Sequence, residues 1–204
     1  MADALSCCRP AEDLWAKAAK ALNDKNQLPV DFNQMDRLTV LKDVLVAVEE
    51  KKQSCLKKRW KYKNSKGEIV ILRDLFEKIV VWVDKFKEVG DNAVQYNPTH
   101  AALPWAAVRL VLQVQVFRHL LDTVETDHLQ VAINDSQTFG AMAEGVELVS
   151  NLITRYTIVE HLYLRKPSAA KNQLIQAILK LYSAVLTYLS RARSYYERNT
   201  FGAL

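Results

Sequence analysis

The stretch from residue 131 to 165, VAINDSQTFGAMAEGVELVSNLITRYTIVEHLYLR, contains no proline and repeats its apolar residues at helical spacing. Phe139, Met142, Val146, Val149, Ile153 and Tyr156 share one face, which predicts a single helix over about residues 127–164, roughly 55 Å long. An apolar stripe of that length has to be covered by other helices. Gly140, Ala143 and Gly145 lie along it, where small residues let a neighbouring helix approach closely. Pro167 ends the helix. This one element commits the chain to a helical bundle.

The remaining elements fit around it. Pro10 precedes a helix over residues 11–22, with Leu14, Trp15, Ala18 and Leu22 along one stripe. After Pro29, Asp31 or Asn33 is placed to cap a second helix, whose stripe reads Leu38, Leu41, Leu45 and Val48. A third carries Leu72, Leu75, Phe76, Ile79, Val83 and Phe86, with Gly90 as a left-handed stop. Pro104 sits in the first turn of a fourth, where its missing N–H costs nothing, and Trp105, Val108 and Leu112 form its buried face. Ser168 or a neighbour caps a last helix bearing Leu174, Ile178, Leu181, Val185 and Leu189. Between helices two and three, RWKYK, NSKG and EIVI alternate about turn chemistry, predicting a β-hairpin over residues 59–71. Trp60 and Tyr62 share one of its faces, and so do Ile69 and Ile71. The expected fold is mostly α: about six helices in a single bundle over residues 11–193, with a small hairpin, a flexible stretch over 1–10 and a tail over 194–204. Only five glycines and five prolines among 204 residues agree with long helices rather than a β-sandwich.

Chemistry-bearing motifs are sparse. Three cysteines (Cys7, Cys8 and Cys55) cannot make a disulfide framework and read as reduced thiols of the cytoplasm. No run of about 18 apolar residues is present to span a membrane. The N-terminus lacks the pattern of a signal peptide, and Ala2 stands where myristoylation requires glycine. The four histidines, His100, His119, His128 and His161, show no metal spacing, and no nucleophile elbow occurs, so no catalytic, metal or cofactor residue is assigned. Glu160 and His161 read as surface residues near a helix end. Asn134, Asp135 and Ser136 read as a cap or kink after a helix break. Arg109 and Arg155 read as partners for carboxylates across the bundle. Gly140 and Gly145 have P-loop spacing, but Val146 and Glu147 follow where Lys and Ser or Thr are needed, so they are packing glycines. A formal charge of +5 permits an anionic partner. Lys57, Lys58, Arg59, Lys61 and Lys63, with Lys66, Trp60 and Tyr62 beside them, are the candidate contacts to an anionic surface. The simpler reading is a solvated helix end balanced by Glu49, Glu50 and Glu68. No nucleic-acid motif accompanies the run.

The phrases NPTHAALPWAAVRLVLQ, VAINDSQTFGAMAEGVELVSNLITRY, KKRWKYKNSKGEIVILRDLFEKIVVWVDKFKEVGD and ARSYYERNT resemble the N-terminal helical domain of fungal STAND receptors. These are NLR-like proteins with a central NACHT-type NTPase followed by ankyrin or WD repeats. His100, Leu103, Pro104, Trp105, Phe139 and Gly140 carry the signature and are expected to be structural. The resemblance implies a non-enzymatic signalling or interaction module, here a truncated or free-standing copy without the NTPase, that binds a protein partner or its own copies. The alternative is a membrane-active helical bundle binding anionic lipid, and nucleic acid is the less favoured partner. The family pattern runs from Gln113 directly into Val131, so residues 114–130 form an insertion. Its 17 residues correspond to 51 nucleotides, and its valine start, Thr126-Asp127 and Gln130 are compatible with splice-site codons. We read it as a retained intron translated in frame. Helix-spaced Phe117, Leu120, Leu121 and Val124 leave a genuine insertion lengthening helix four as the other reading.

Overall fold

The computed structural model describes residues 13–24, 37–92, 102–113, 129–164 and 169–201. In chain order the elements are α1 (Leu14–Asn23), α2 (Arg37–Lys58), β1 (Lys61–Lys63), β2 (Ile69–Ile71), α3 (Leu72–Asn92), α4 (Ala102–Gln113), α5 (Leu129–Tyr163) and α6 (Lys171–Phe201). The chain is a mostly α bundle with one small antiparallel hairpin.

The helix α3 is the middle of one half of the bundle, because its apolar stripe is wide enough to serve two neighbours. Leu72, Leu75, Phe76, Ile79, Val83 and Phe86 are all buried, and α3 packs on both α2 and α5. Each such side chain contributes about 1.5–3 kcal/mol by leaving water. Polar links fix the α3–α5 register: the Trp82 indole N–H donates to Glu147 at 2.9 Å, and the Thr154 hydroxyl to the Trp82 carbonyl at 3.2 Å. The other half is built by α4, which packs on α2 and α6, and by α1, which lies on α6. Trp105 of α4 is fully buried against Phe86, with ring centroids 5.3 Å apart. Arg109 spans α4 to α2 through a 2.8 Å ion pair with Asp43. That is the cross-bundle role expected of it, whereas Arg155 is exposed.

The predicted stripes of α1 and α3 are buried as read. Asp13 caps α1, accepting from the N–H groups of Trp15 and Ala16, so that helix begins at Leu14 rather than residue 11. On α2 the buried face comprises Val40, Leu41, Val44, Ala47 and Val48, while Leu45 is half-buried. The predicted stripe there was one step off its centre.

Three local readings need correction. Gly90 does not stop α3, which continues to Asn92; a glycine inside a helix costs about 1 kcal/mol, which the strong stripe upstream outweighs. Asn134, Asp135 and Ser136 lie within the uninterrupted α5, not at a break. Finally, α6 runs on to Phe201, past Ser194, where the sequence placed the start of a tail. Residues 1–10, the caps Asp31, Asn33 and Ser168, His100, and residues 114–128 of the insertion lie outside the described residues; Leu129 and Gln130 open α5.

Candidate functional site

The hairpin is held in place by three local devices. First, α2 is terminated by Arg59 in a left-handed conformation at φ 47°. That turn lets the Trp60 N–H donate back to the Cys55 carbonyl at 3.4 Å, satisfying one of the last helix carbonyls. A non-glycine residue there costs about 1–2 kcal/mol. Arg59→Gly is therefore expected to raise the melting temperature by roughly 2–4 °C for about 1 kcal/mol recovered, measurable by thermal denaturation; no gain would mean the turn is not strained.

Second, Asn64 organises the turn. Its side-chain carbonyl accepts from the Lys66 and Glu68 N–H groups at 3.0 and 2.9 Å, and Gly67 supplies the positive φ of 83° that closes it. The register pairs Lys61 with Ile71, Tyr62 with Val70 and Lys63 with Ile69. Third, the Leu72 N–H donates to the Trp60 carbonyl at 3.2 Å, joining the hairpin to the start of α3.

Alternation then divides the hairpin into two faces. Tyr62 points inward and is buried against α5. Its ring lies directly over Gly140, where an added methyl would fall inside it. The hydroxyl donates to Glu144 at 2.9 Å, and burial, reinforced by Glu144, pushes the phenol upward. Beside it, Trp60 meets Phe139 edge-on at 5.2 Å, and Phe139 reaches Phe76 of α3 at 5.8 Å. Lys61, Lys63, Ile69 and Ile71 form the outward face, all exposed.

The candidate cations divide accordingly. Lys57, Arg59, Lys61, Lys63 and Lys66 are exposed at this end of the bundle, and the Lys58 side chain lies outside the described residues. Two of the three balancing acids, Glu49 and Glu68, make local bonds, and Glu50 is exposed on α2. Glu49 is engaged along α2 by Lys52 at 3.3 Å and Gln53 at 2.8 Å, and the Glu68 carboxylate accepts from the Asn64 amide at 2.8 Å. Trp60 and Tyr62, which the sequence placed beside these cations as interfacial aromatics, turn inward to anchor the hairpin. Ile69 and Ile71 take the outward position instead. Their shared face was legible in the alternation, but its direction was not.

Among the described residues, the other side chains singled out in the sequence lie mostly in the packed interior. Leu103 is half-buried, and Pro104, Trp105, Phe139 and Gly140 are buried. Gly145 faces the Tyr188 hydroxyl of α6, so both P-loop-spaced glycines serve side-chain packing within a helix. Burial pushes the Cys55 thiol up to about 12, which keeps it protonated and unreactive at neutral pH. No group of three His, Cys, Asp or Glu that could hold a metal occurs among the described residues.

Glu160 is not the surface residue the sequence suggested. It accepts the hydroxyl of buried Tyr182 on α6, and desolvation pushes it up to about 7 despite that bond. Trp15 of α1 stacks on the same tyrosine at 3.4 Å between centroids.

No family model matches the chain, and no curated protein or solved structure is detectably similar to it. The likeness to the STAND N-terminal domains rests on the residue phrases quoted above.

Proposed function

We propose that the chain is a non-enzymatic interaction module that works in the cytoplasm as a signalling domain of the kind fungal STAND receptors carry at their N-terminus. It uses no cofactor and acts by contact with a partner or with its own copies. The observation that carries this reading is the outward hairpin face, where Ile69 is 74% exposed on an element clamped firmly to the bundle from behind. A large aliphatic side chain held rigidly in water is more useful to a partner than to the fold. The inert Cys55 and the packing role of the glycines agree with contact rather than catalysis.

The test is to fuse the chain to an inducibly oligomerising domain in a filamentous fungus and score growth arrest after induction. The wild-type chain is expected to arrest growth, and Ile69→Ser/Ile71→Ser to lose the response. Both side chains face outward, so stability should change by no more than about 0.5 kcal/mol per site. A wild-type chain without effect, or a double variant that still signals fully, would count against the module or its proposed surface.

A further inference from the structure

The outward hairpin face combines two chemistries within one small area. Cross-strand pairing sets Lys61 against Ile71 and Lys63 against Ile69, so each exposed isoleucine has an ammonium group as its neighbour. Along the chain, exposed Leu56, Lys57 and Arg59 continue the same mixture at the α2 exit. Cations outnumber acids along residues 57–71, where exposed Lys57, Arg59, Lys61, Lys63 and Lys66 stand against the single carboxylate of Glu68. Glu68 is drawn back onto the turn by Asn64, and Glu144 is engaged by Tyr62 on the opposite face.

Size and order of chemistry select among occupants. Three-residue strands are about 10 Å long and about 5 Å apart. A protein partner at this face would have to reach well beyond it to bury the roughly 800 Å² per side of a stable complex. Nucleic-acid phosphates would answer the cations and leave the isoleucines in water. An anionic lipid surface answers both. Lysine stems extend past a neighbouring aliphatic side chain, so ammonium groups sit at headgroup level while the isoleucines enter the acyl boundary. Among the described residues no helix is long and apolar enough to cross a membrane, so such contact is peripheral. The Gly140–Tyr62 clamp presents the face as a fixed unit.

We infer that the outer face of the hairpin docks the bundle onto an anionic lipid surface. Ile69 and Ile71 insert, and Lys61 and Lys63, supported by Lys57 and Arg59, hold the headgroup phosphates. This rests on the hairpin end being the contact surface of the module proposed above.

The test is flotation of the full chain with vesicles of phosphatidylcholine alone, or of phosphatidylcholine with phosphatidylserine, at low and high salt. Flotation is expected only with the phosphatidylserine vesicles and is lost at high salt. Each cation near such a surface contributes about fivefold in affinity, so Lys61→Glu/Lys63→Glu should weaken binding at least about 25-fold. Ile69→Ser/Ile71→Ser should weaken it about tenfold or more by removing the inserted apolar groups. The same charge change on α6, Lys180→Glu/Arg191→Glu, should cost no more than about threefold, because screening confines the effect to nearby charges.

Equal loss from the α6 pair, indifference to both hairpin pairs, or no flotation at all would overturn the lipid assignment. The growth response separates this failure from that of the module itself. A chain that never floats but still needs Ile69 and Ile71 to signal has a protein partner, so the lipid assignment falls and the module stands. A chain that floats as described but never signals keeps the lipid surface and loses the signalling role.

Discussion

Replacing Glu160 with glutamine is expected to raise the melting temperature at pH 8 by roughly 6–12 °C and to change it little at pH 4. The reason is the site between α5 and α6. Desolvation, the largest cause, lifts the carboxyl from 4.5 to about 7. The bond from Tyr182 opposes that shift, and the charge of Asp13 at the α1 cap adds to it. A carboxyl raised in this way holds its proton more tightly in the folded chain than in the unfolded one. Its contribution is therefore fully present below 4.5 and is lost as pH rises through about 7. A displacement of that size corresponds to about 3 kcal/mol. Glutamine keeps an acceptor for the Tyr182 hydroxyl without the charge. Melting curves from pH 4 to 8 should thus converge at the acid end and separate at the alkaline end. Parallel curves would show that Glu160 does not titrate in this way. Hydrogen exchange adds a local readout: since Trp15 stacks on Tyr182, α1 should lose protection first in the wild type at pH 8.

The second large effect is expected at Gly140. In an exposed helix, glycine to alanine stabilises by about 1 kcal/mol. Here the new methyl would lie within the Tyr62 ring, which is buried and bonded to Glu144 at 2.9 Å. The ring cannot move without lifting β1 from α5, so Gly140→Ala should destabilise by about 1–3 kcal/mol, and Gly140→Val by more. A double-mutant cycle isolates the cause. With Tyr62→Ala already in place, Gly140→Ala should become neutral or stabilising. An unchanged penalty in that background would mean that the ring is not the obstacle. Gly145→Ala offers a milder comparison, because it meets the end of Tyr188, a partly exposed side chain with room to swing outward. If the hairpin is the contact surface, Gly140→Ala should also weaken vesicle binding, since it displaces the face that carries Ile69 and Ile71.

Much of the fold was readable from periodicity. The stripes Leu14-Trp15-Ala18-Leu22 and Leu72 through Phe86 are buried as their spacing requires, and the long α5 begins and ends within two residues of its expected bounds. Asn-Ser-Lys-Gly specified the turn, because Asn64 supplies the side-chain acceptor and Gly67 the positive φ. Gly90 misled for the same local reason: its permissiveness allows a helix to stop but does not require it, and α3 continues to Asn92. Glu160 was misread because a carboxylate near a helix end is ordinarily solvated. Only the arrival of Tyr182 from α6, with α1 behind it, removes the water.

The candidate site divides along the same line. Chain order and alternation determined that Trp60 and Tyr62 share one face, that Ile69 and Ile71 share one, and that cations cluster around them. Tertiary packing decided which face reaches solvent. On β1 the lysines alternate with the aromatics and favour Trp60 and Tyr62 inside, but β2 is apolar on both faces, so alternation alone does not say whether Val70 or the two isoleucines join them. The bare backbone of Gly140 on α5, with Phe139 and Glu144 beside it, accepts a flat ring carrying one hydroxyl and leaves the isoleucines outside. Spacing along the chain records which side chains point together, whereas what covers them is a property of the surface that meets them.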